Sequence, residues 1–356
     1  MSDHPKMKFG ILQFFTWPGQ RVKLEEIYHR AFERCELMDK TGYDAVWLAE
    51  HHFTTHSVSP SSHMLGAVIA SRTKNLRIGT AVSLAPFYNP LRLAEEIALL
   101  DVLSGGRMSC GLGRAHQPVE FRAFGVKLED SYALYRENVE IVQKAWSNER
   151  LTFHGKFHQY DDVLVLPKPI QNPMPVWLAG ATAESINWAA ERGYSILMAP
   201  PLMHAQIGEQ HRFYKDLMKK HGHSMAGRDI PIGRLICVDE TKEKAAAVAR
   251  AGARWYVGSY SGDSKEAKEM RPVVMDSELN RTRGANWNVP LIAQDVSIDQ
   301  RVEQYMNEGI IWGTPEMVID QIEQLREEIS LDYLMLAPLS HQTILGFTDK
   351  VMPHFQ

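Results

Sequence analysis

The feature that most constrains this chain is a rhythm: short apolar runs of strand length alternate with amphipathic stretches of helical length nearly from end to end. Lys8–Phe15 reads as a strand. It precedes Leu24–Lys40, in which Leu24, Ile27, Ala31, Cys35 and Met38 recur at three- and four-residue steps and Gly42 follows as a stop. Ala45–Glu50 is the next strand, Ser62–Ser71 a helix and Leu76–Leu84 a strand, after which Pro90 opens the helix Leu91–Leu103. Beyond the Gly105–Gly106 break, strand Arg107–Gly113 leads to the long helix Asp130–Ser147. Val176–Ala179, Tyr194–Ala199, Gly233–Val238 and Asp332–Ala337 continue the strands, and Ala183–Arg192, Ala205–Lys220, Lys242–Arg250 and Pro315–Ile329 the helices. Eight βα units imply a parallel sheet that right-handed crossovers close on itself. The predicted fold is α/β, a (β/α)8 TIM barrel with insertions, as one domain over residues 1–356. A doubly wound open sheet is the alternative, but no G-x-G-x-x-G follows the first strand.

Two segments break the rhythm. Residues 149–175 are aromatic and Pro-rich, more like an extended hairpin than a helix. Residues 258–300 run about forty residues, far beyond the usual βα loop, and on a barrel they belong at the C-terminal face as a lid over substrate; a decorative surface insertion is the alternative.

With 44% apolar and 23% charged residues the chain has ample material for a large core. Its 39 Lys and Arg against 43 Asp and Glu give a net charge of −4, which offers no general attraction to nucleic acid or anionic membranes. Cys35, Cys110 and Cys237 are far apart and lack C-x-x-C spacing, which suits a reducing compartment. The N-terminal residues carry no signal pattern and no run reaches membrane-spanning length, so a soluble, cytoplasmic protein is expected.

Three tracts could carry chemistry. Glu50-His51-His52 ends the second strand, at the mouth where barrel active sites sit. Neighbouring strand residues face opposite ways, so a shared metal is not expected, whereas one imidazole suits acid–base work. A hydrogen-bonded structural histidine is the alternative. Gly111–Arg114 ends the fourth strand; its glycines let a flat ligand approach the backbone, and Arg114 offers a fork of donors to a phosphate or carboxylate, unless it serves a surface ion pair. Ala179–Ser185 runs from the fifth strand into a helix, whose N-terminal N–H groups, with Thr182 and Ser185, suit a phosphate; Thr182 is equally suited to be the N-cap.

Taken together, KFGILQFF, GYDAVWLAEHHF (Gly42–Phe53), RTKNLRIGTAVSLAPFYNPLRLAEEIALLDVLSGGR (Arg72–Arg107) and GATAESINWAAERG (Gly180–Gly193) resemble the bacterial luciferase-like, flavin-dependent monooxygenase family over nearly the whole chain. The resemblance implies a two-component enzyme that receives reduced FMN from a separate flavin reductase and oxygenates an organic small molecule with O2 through a hydroperoxyflavin. It implies His51 as the catalytic residue, with Glu50 and His52 beside it. It also implies a cis peptide at Ala81–Val82 beside the flavin ring, and a phosphate site of Arg114, Ala181, Thr182, Ala183 and Ser185. Tyr132, beside Ser131, stands where luciferase has a second phosphate-binding arginine, and Gly113 stands where luciferase has a cysteine against the flavin, so the chain is not read as a luciferase. Trp17, Phe87, Tyr88, His116 and Trp287 are candidate pocket walls, with core packing as the alternative. A homodimer is implied through Ser62–Ser71 and Leu91–Leu103, the latter apolar around much of its circumference. Two other readings stay open: a deazaflavin-dependent dehydrogenase of the same fold, and a non-catalytic flavin-binding barrel.

Overall fold

The computed structural model describes residues 6–180, 182–261 and 296–356. They fall into two compact units, Gln13–Ala179 and Met1–Leu12 with Gly180–Gln356. Strand β1 (Lys8–Gln13) opens the chain and stops two residues short of its predicted end.

In the unit Gln13–Ala179, α1 (Leu24–Thr41) ends where Gly42 adopts φ 86° and donates its N–H to the Met38 carbonyl, a left-handed cap that favours glycine. Strand β2 (Ala45–Leu48) and α2 (Ser62–Arg72) follow. The predicted strand Leu76–Leu84 forms as two pieces, β3 (Arg77–Thr80) and β4 (Ser83–Leu84), separated by the cis Ala81–Val82 peptide. Asn89 caps α3 (Pro90–Ser104) by accepting from the N–H groups of Leu91 and Arg92. Then come β5 (Met108–Gly113), a short helix α4 (Pro118–Phe124) absent from the predicted pattern, and α5 (Ser131–Ser147). The hairpin expected in 149–175 is β6 (Leu151–His154) paired antiparallel with β7 (Gln159–Val163), and β8 (Val176–Ala179) resumes the sheet.

The other ladders of this unit are parallel. Ala45 faces Arg77 between β2 and β3, Ile78 faces Met108 between β3 and β5, Ser83 faces Leu112 between β4 and β5, and Cys110 faces Val176 between β5 and β8. β2, β5 and most of β3 and β8 are buried, as parallel strands flanked by helices must be. The Trp47 ring fills the space beside Gly79, where a Cβ would lie 2.2 Å from the ring, and meets Trp177 edge-on at 5.3 Å. Arg107 ties the sheet to α2, its guanidinium donating to the carbonyls of Ala70, Thr73, Leu76 and Ser104 and to the Thr73 hydroxyl.

In the other unit the order is α6 (Ala183–Glu191), β9 (Ser195–Leu197), α7 (His204–Lys220), β10 (Ile232–Val238) and α8 (Lys242–Ser261). After the undescribed stretch come α9 (Ile298–Glu308), β11 (Ile310–Gly313), α10 (Pro315–Ile329), β12 (Tyr333–Pro338) and α11 (His341–Gly346). β12 pairs parallel with β1 and β10, and β10 parallel with β11. β11 adds a parallel strand to the eight read from the sequence; its four residues sit directly between two helices, too short to stand out by period. Helix α8 runs past the predicted Arg250, so Gly258–Ser261 are helical, not lid, and Ile298–Gln300 begin α9. The rest of the predicted lid, 262–295, including Trp287, lies outside the described residues. The strand–helix alternation is that of the (β/α)8 class. Among the described residues no helix is long and apolar enough to cross a membrane.

Candidate active site

β2 ends at Leu48, so Glu50-His51-His52 lies on the loop beyond it and not within the strand as predicted. Two backbone bonds fix that loop: Ala49 N–H donates to Gln13 O at 3.2 Å, and His51 N–H to Ser59 O at 3.2 Å. Glu50 is buried, and its carboxylate accepts from Tyr88 Oη at 2.8 Å and Ser62 Oγ at 3.3 Å, with His52 Nε2 3.3 Å away. Burial, with the Glu50 carboxylate alongside, pushes the Tyr88 phenol well above its usual range, so Tyr88 remains a donor. His52 also meets Phe124 edge-on at 4.8 Å, and Phe124 stacks on Phe87, which meets Phe121; these rings form one aromatic wall.

His51 has different company. Its ring lies edge-to-face with His56 at 5.2 Å and with His116 at 5.9 Å, and parallel to Phe14 at 6.4 Å. Among the described residues its Nδ1 is buried without a hydrogen-bond partner and stands 3.6 Å from Oε1 of Glu120, a buried carboxylate on α4. The same oxygen accepts the His52 N–H at 3.1 Å. Burial, reinforced by His51, holds the His56 imidazole down at about 3 and that of His116 at about 4, so both are neutral near pH 7.

The C-terminal ends of β3, β4 and β5 lie beside this loop. Ala81 N–H donates to Leu48 O at 2.8 Å, which ties the cis Ala81–Val82 peptide to the start of the tract. Gly113 lets Val82 approach, because a Cβ there would fall 2.2 Å from Val82 Cγ2. Behind the segment, Ser83 Oγ is 2.8 Å from His63 Nε2, and His63 Nδ1 is 3.0 Å from Glu96 Oε2, a chain that pins β4 to α2 and α3. Arg114 donates to Ser131 Oγ at 2.9 Å and lies 4.0 Å over the Tyr132 ring. Tyr132 therefore steadies Arg114 through a cation–π contact.

In the other unit, Thr182 caps α6: its Oγ1 accepts the Ser185 N–H at 3.1 Å while Ser185 Oγ accepts the Thr182 N–H at 3.0 Å. Ala183 is the first helical residue, and Ala181 lies outside the described residues. Among the expected pocket walls, His116, Phe87 and Tyr88 surround the tract, whereas the Trp17 indole is spent on Val22 O at 2.8 Å. Sequence reading passed over Glu120, Ser83 and Glu96. The available signal for Glu120 was Pro118, a helix-opening residue with an acidic side chain in the first turn.

The sequence model of the family described as luciferase-like monooxygenase matches residues 7–332. The chain is 27% identical over 324 residues to an alkanal monooxygenase alpha chain from the Kryptophanaron alfredi symbiont, covering 89% of this chain and 87% of that one. It is 27% identical over 197 residues to the oxygenase component of a flavin-dependent trigonelline monooxygenase from Acinetobacter baylyi, covering 54% of each. Among solved structures, the monooxygenase RslO1 from Streptomyces bottropensis superposes with a TM-score of 0.76 at 25% identity, covering 98% of this chain and all of the other.

Proposed function

The chain belongs to the luciferase-like monooxygenase family, whose members are flavin-dependent oxidoreductases, and on that premise we propose that it is the oxygenase of a two-component system that uses reduced FMN and O2 to oxygenate an organic small molecule. The carrying observation is that adjacent parallel strands present Glu50–His52, Ala81–Val82 and Gly113–Arg114 at the same, C-terminal, end, where barrels of this class do their chemistry. The residues fit a flavin. Arg114 presents guanidinium donors suited to a phosphate, and the His51 imidazole is buried among neutral rings beside the strand ends, where it can exchange a proton with a bound ring. Reduced FMN, when bound, supplies the electron pair that activates O2 for transfer of one oxygen atom.

The chain's own groups do the rest. Arg114, held by Ser131 and Tyr132, offers the remainder of its fork to the phosphate. The start of α6, with Thr182, Ala183 and Ser185, is an anion-suited helix end in the other unit, to which we assign the same ligand class. His51 holds or accepts a proton beside the reacting centre, and the wall of Phe87, Phe121 and Phe124 keeps water away and favours apolar substrate surface. The cofactor arrives reduced from a flavin reductase. A homodimer through α2 and α3 accounts for the exposed Met64, Leu99, Val102 and Leu103, and a cytoplasmic location fits three buried free cysteines. An anaerobic titration with reduced FMN and, separately, with a reduced deazaflavin tests the assignment. Saturable binding of reduced FMN supports it, and binding of the deazaflavin alone sinks it.

A further inference from the structure

We propose that Glu120 is a positioning residue of this site: its buried carboxylate fixes the His51 proton on Nδ1, so that Nε2 faces the reaction as the acceptor. The geometry is that of one carboxylate serving two neighbours in sequence. Oε1 accepts the His52 backbone N–H at 3.1 Å, which anchors the loop, and stands 3.6 Å from His51 Nδ1. Among the described residues His51 Nδ1 and Glu120 Oε2 are both buried without a hydrogen-bond partner, and the Glu120 carboxylate reaches His51 Nδ1 through its other oxygen, Oε1. The separation is slightly longer than a hydrogen bond, as such contacts commonly are before ligand binds.

Among the described residues, the other groups about His51 are not placed for this work. His56 and His116 approach its ring edge-on and are neutral, and Phe14 is apolar. Glu50 is engaged with Tyr88, Ser62 and His52, and Arg114, which acts on His116, is tied to Ser131. Among the described residues Glu120 is therefore the one carboxylate within reach of His51 Nδ1, and its charge also acts on His116. An anionic oxygen beside an imidazole favours both the Nδ1–H tautomer and the imidazolium, which is how a buried carboxylate turns a neighbouring histidine into a directed base. Glu120 reaches the tract only because α4 folds back over it, which explains the buried acidic residue in the first turn of so short a helix.

The inference rests on the site assignment made above, but its test does not need flavin. Histidine labelled with 15N is read by long-range proton–nitrogen NMR in the ligand-free protein, with His51→Gln used to identify the His51 signals. The expected result is the Nδ1–H tautomer in the unmodified protein. Glu120→Gln keeps an oxygen for the His52 N–H and removes the charge, so the Nδ1–H tautomer of His51 should lose its predominance. Glu120→Asp should restore part of that population. An Nε2–H tautomer in the unmodified protein, or a tautomer ratio that Glu120→Gln leaves unchanged, overturns the inference. Failure of reduced FMN to bind would instead sink the functional assignment and leave this result standing.

Discussion

Gly113→Ala is the sharpest test of how the site edge is built. The new methyl would sit 2.2 Å from Val82 Cγ2 and 3.2 Å from Val82 Cβ, with Ala179 Cβ at 3.6 Å on another side. Carbon atoms in contact need about 3.5–4.0 Å, so roughly 1.5 Å of movement is required. Valine is β-branched and stiff at χ1, and turning it relieves Cγ2 but not Cβ, so the backbone of the Ala81–Val82 segment must give. Overpacking of this kind costs about 1–3 kcal/mol, equivalent to roughly 5- to 150-fold in an equilibrium constant. Thermal unfolding should show the loss, and affinity for reduced FMN should fall with it. Val82→Ala removes the Cγ carbons and leaves only the milder 3.2 Å approach to Cβ, so the double variant Val82→Ala/Gly113→Ala should be more stable than the sum of the single effects predicts. Strict additivity, or a Gly113→Ala protein as stable and as avid as the original, would refute the close-approach reading.

Other consequences follow from the same geometry. His51→Ala should abolish most turnover while FMN affinity stays within a few-fold, and unchanged turnover would remove its catalytic assignment. His56 and His116 have folded pKa values depressed to about 3 and about 4, below the ordinary histidine value of 6.5. The unfolded chain therefore binds their protons first, and the stability they contribute is complete above pH 6.5 and lost as the pH falls toward 4. Each should steepen the acid limb by up to about 1.4 kcal/mol per pH unit, and His56→Phe should flatten it; an unaltered limb would show that His56 is not held neutral. Leu103→Arg on the exposed face of α3 should shift the solution mass from dimer to monomer, and a monomeric unmodified protein would remove the dimer altogether.

Much of this was legible in the sequence because local signals and the fold agree. Gly42 and Pro90 mark helix ends through backbone geometry that no tertiary contact needs to supply, and both helices end and start there. The hairpin in 149–175 is announced by aromatic, Pro-rich composition. What escaped depends on contacts between residues far apart in sequence. Glu120 lies 69 positions from His51, as the difference 120 − 51 shows, and nothing in the string of letters brings them together. Ser83, His63 and Glu96 come from β4, α2 and α3 and meet only once those elements pack. The extension of α8 through Gly258–Ser261 was missed for another reason: Gly258 and the serines beside it have weak helix propensity, and the helix continues over them regardless. Thr182 shows the limit from the other side, since a helix cap and a phosphate ligand make the same demand on one hydroxyl.

We propose that this chain binds reduced FMN at the strand ends bearing His51, Val82 and Arg114 and governs its reaction with oxygen. Anaerobic mixing with reduced FMN, followed by rapid addition of O2, tests it directly through the time course of flavin absorbance. The expected result is oxidation through a protein-dependent phase distinct from that of free flavin, and a loss of FMN retention in Arg114→Ala. Oxidation to free FMN at the rate seen without protein would contradict it.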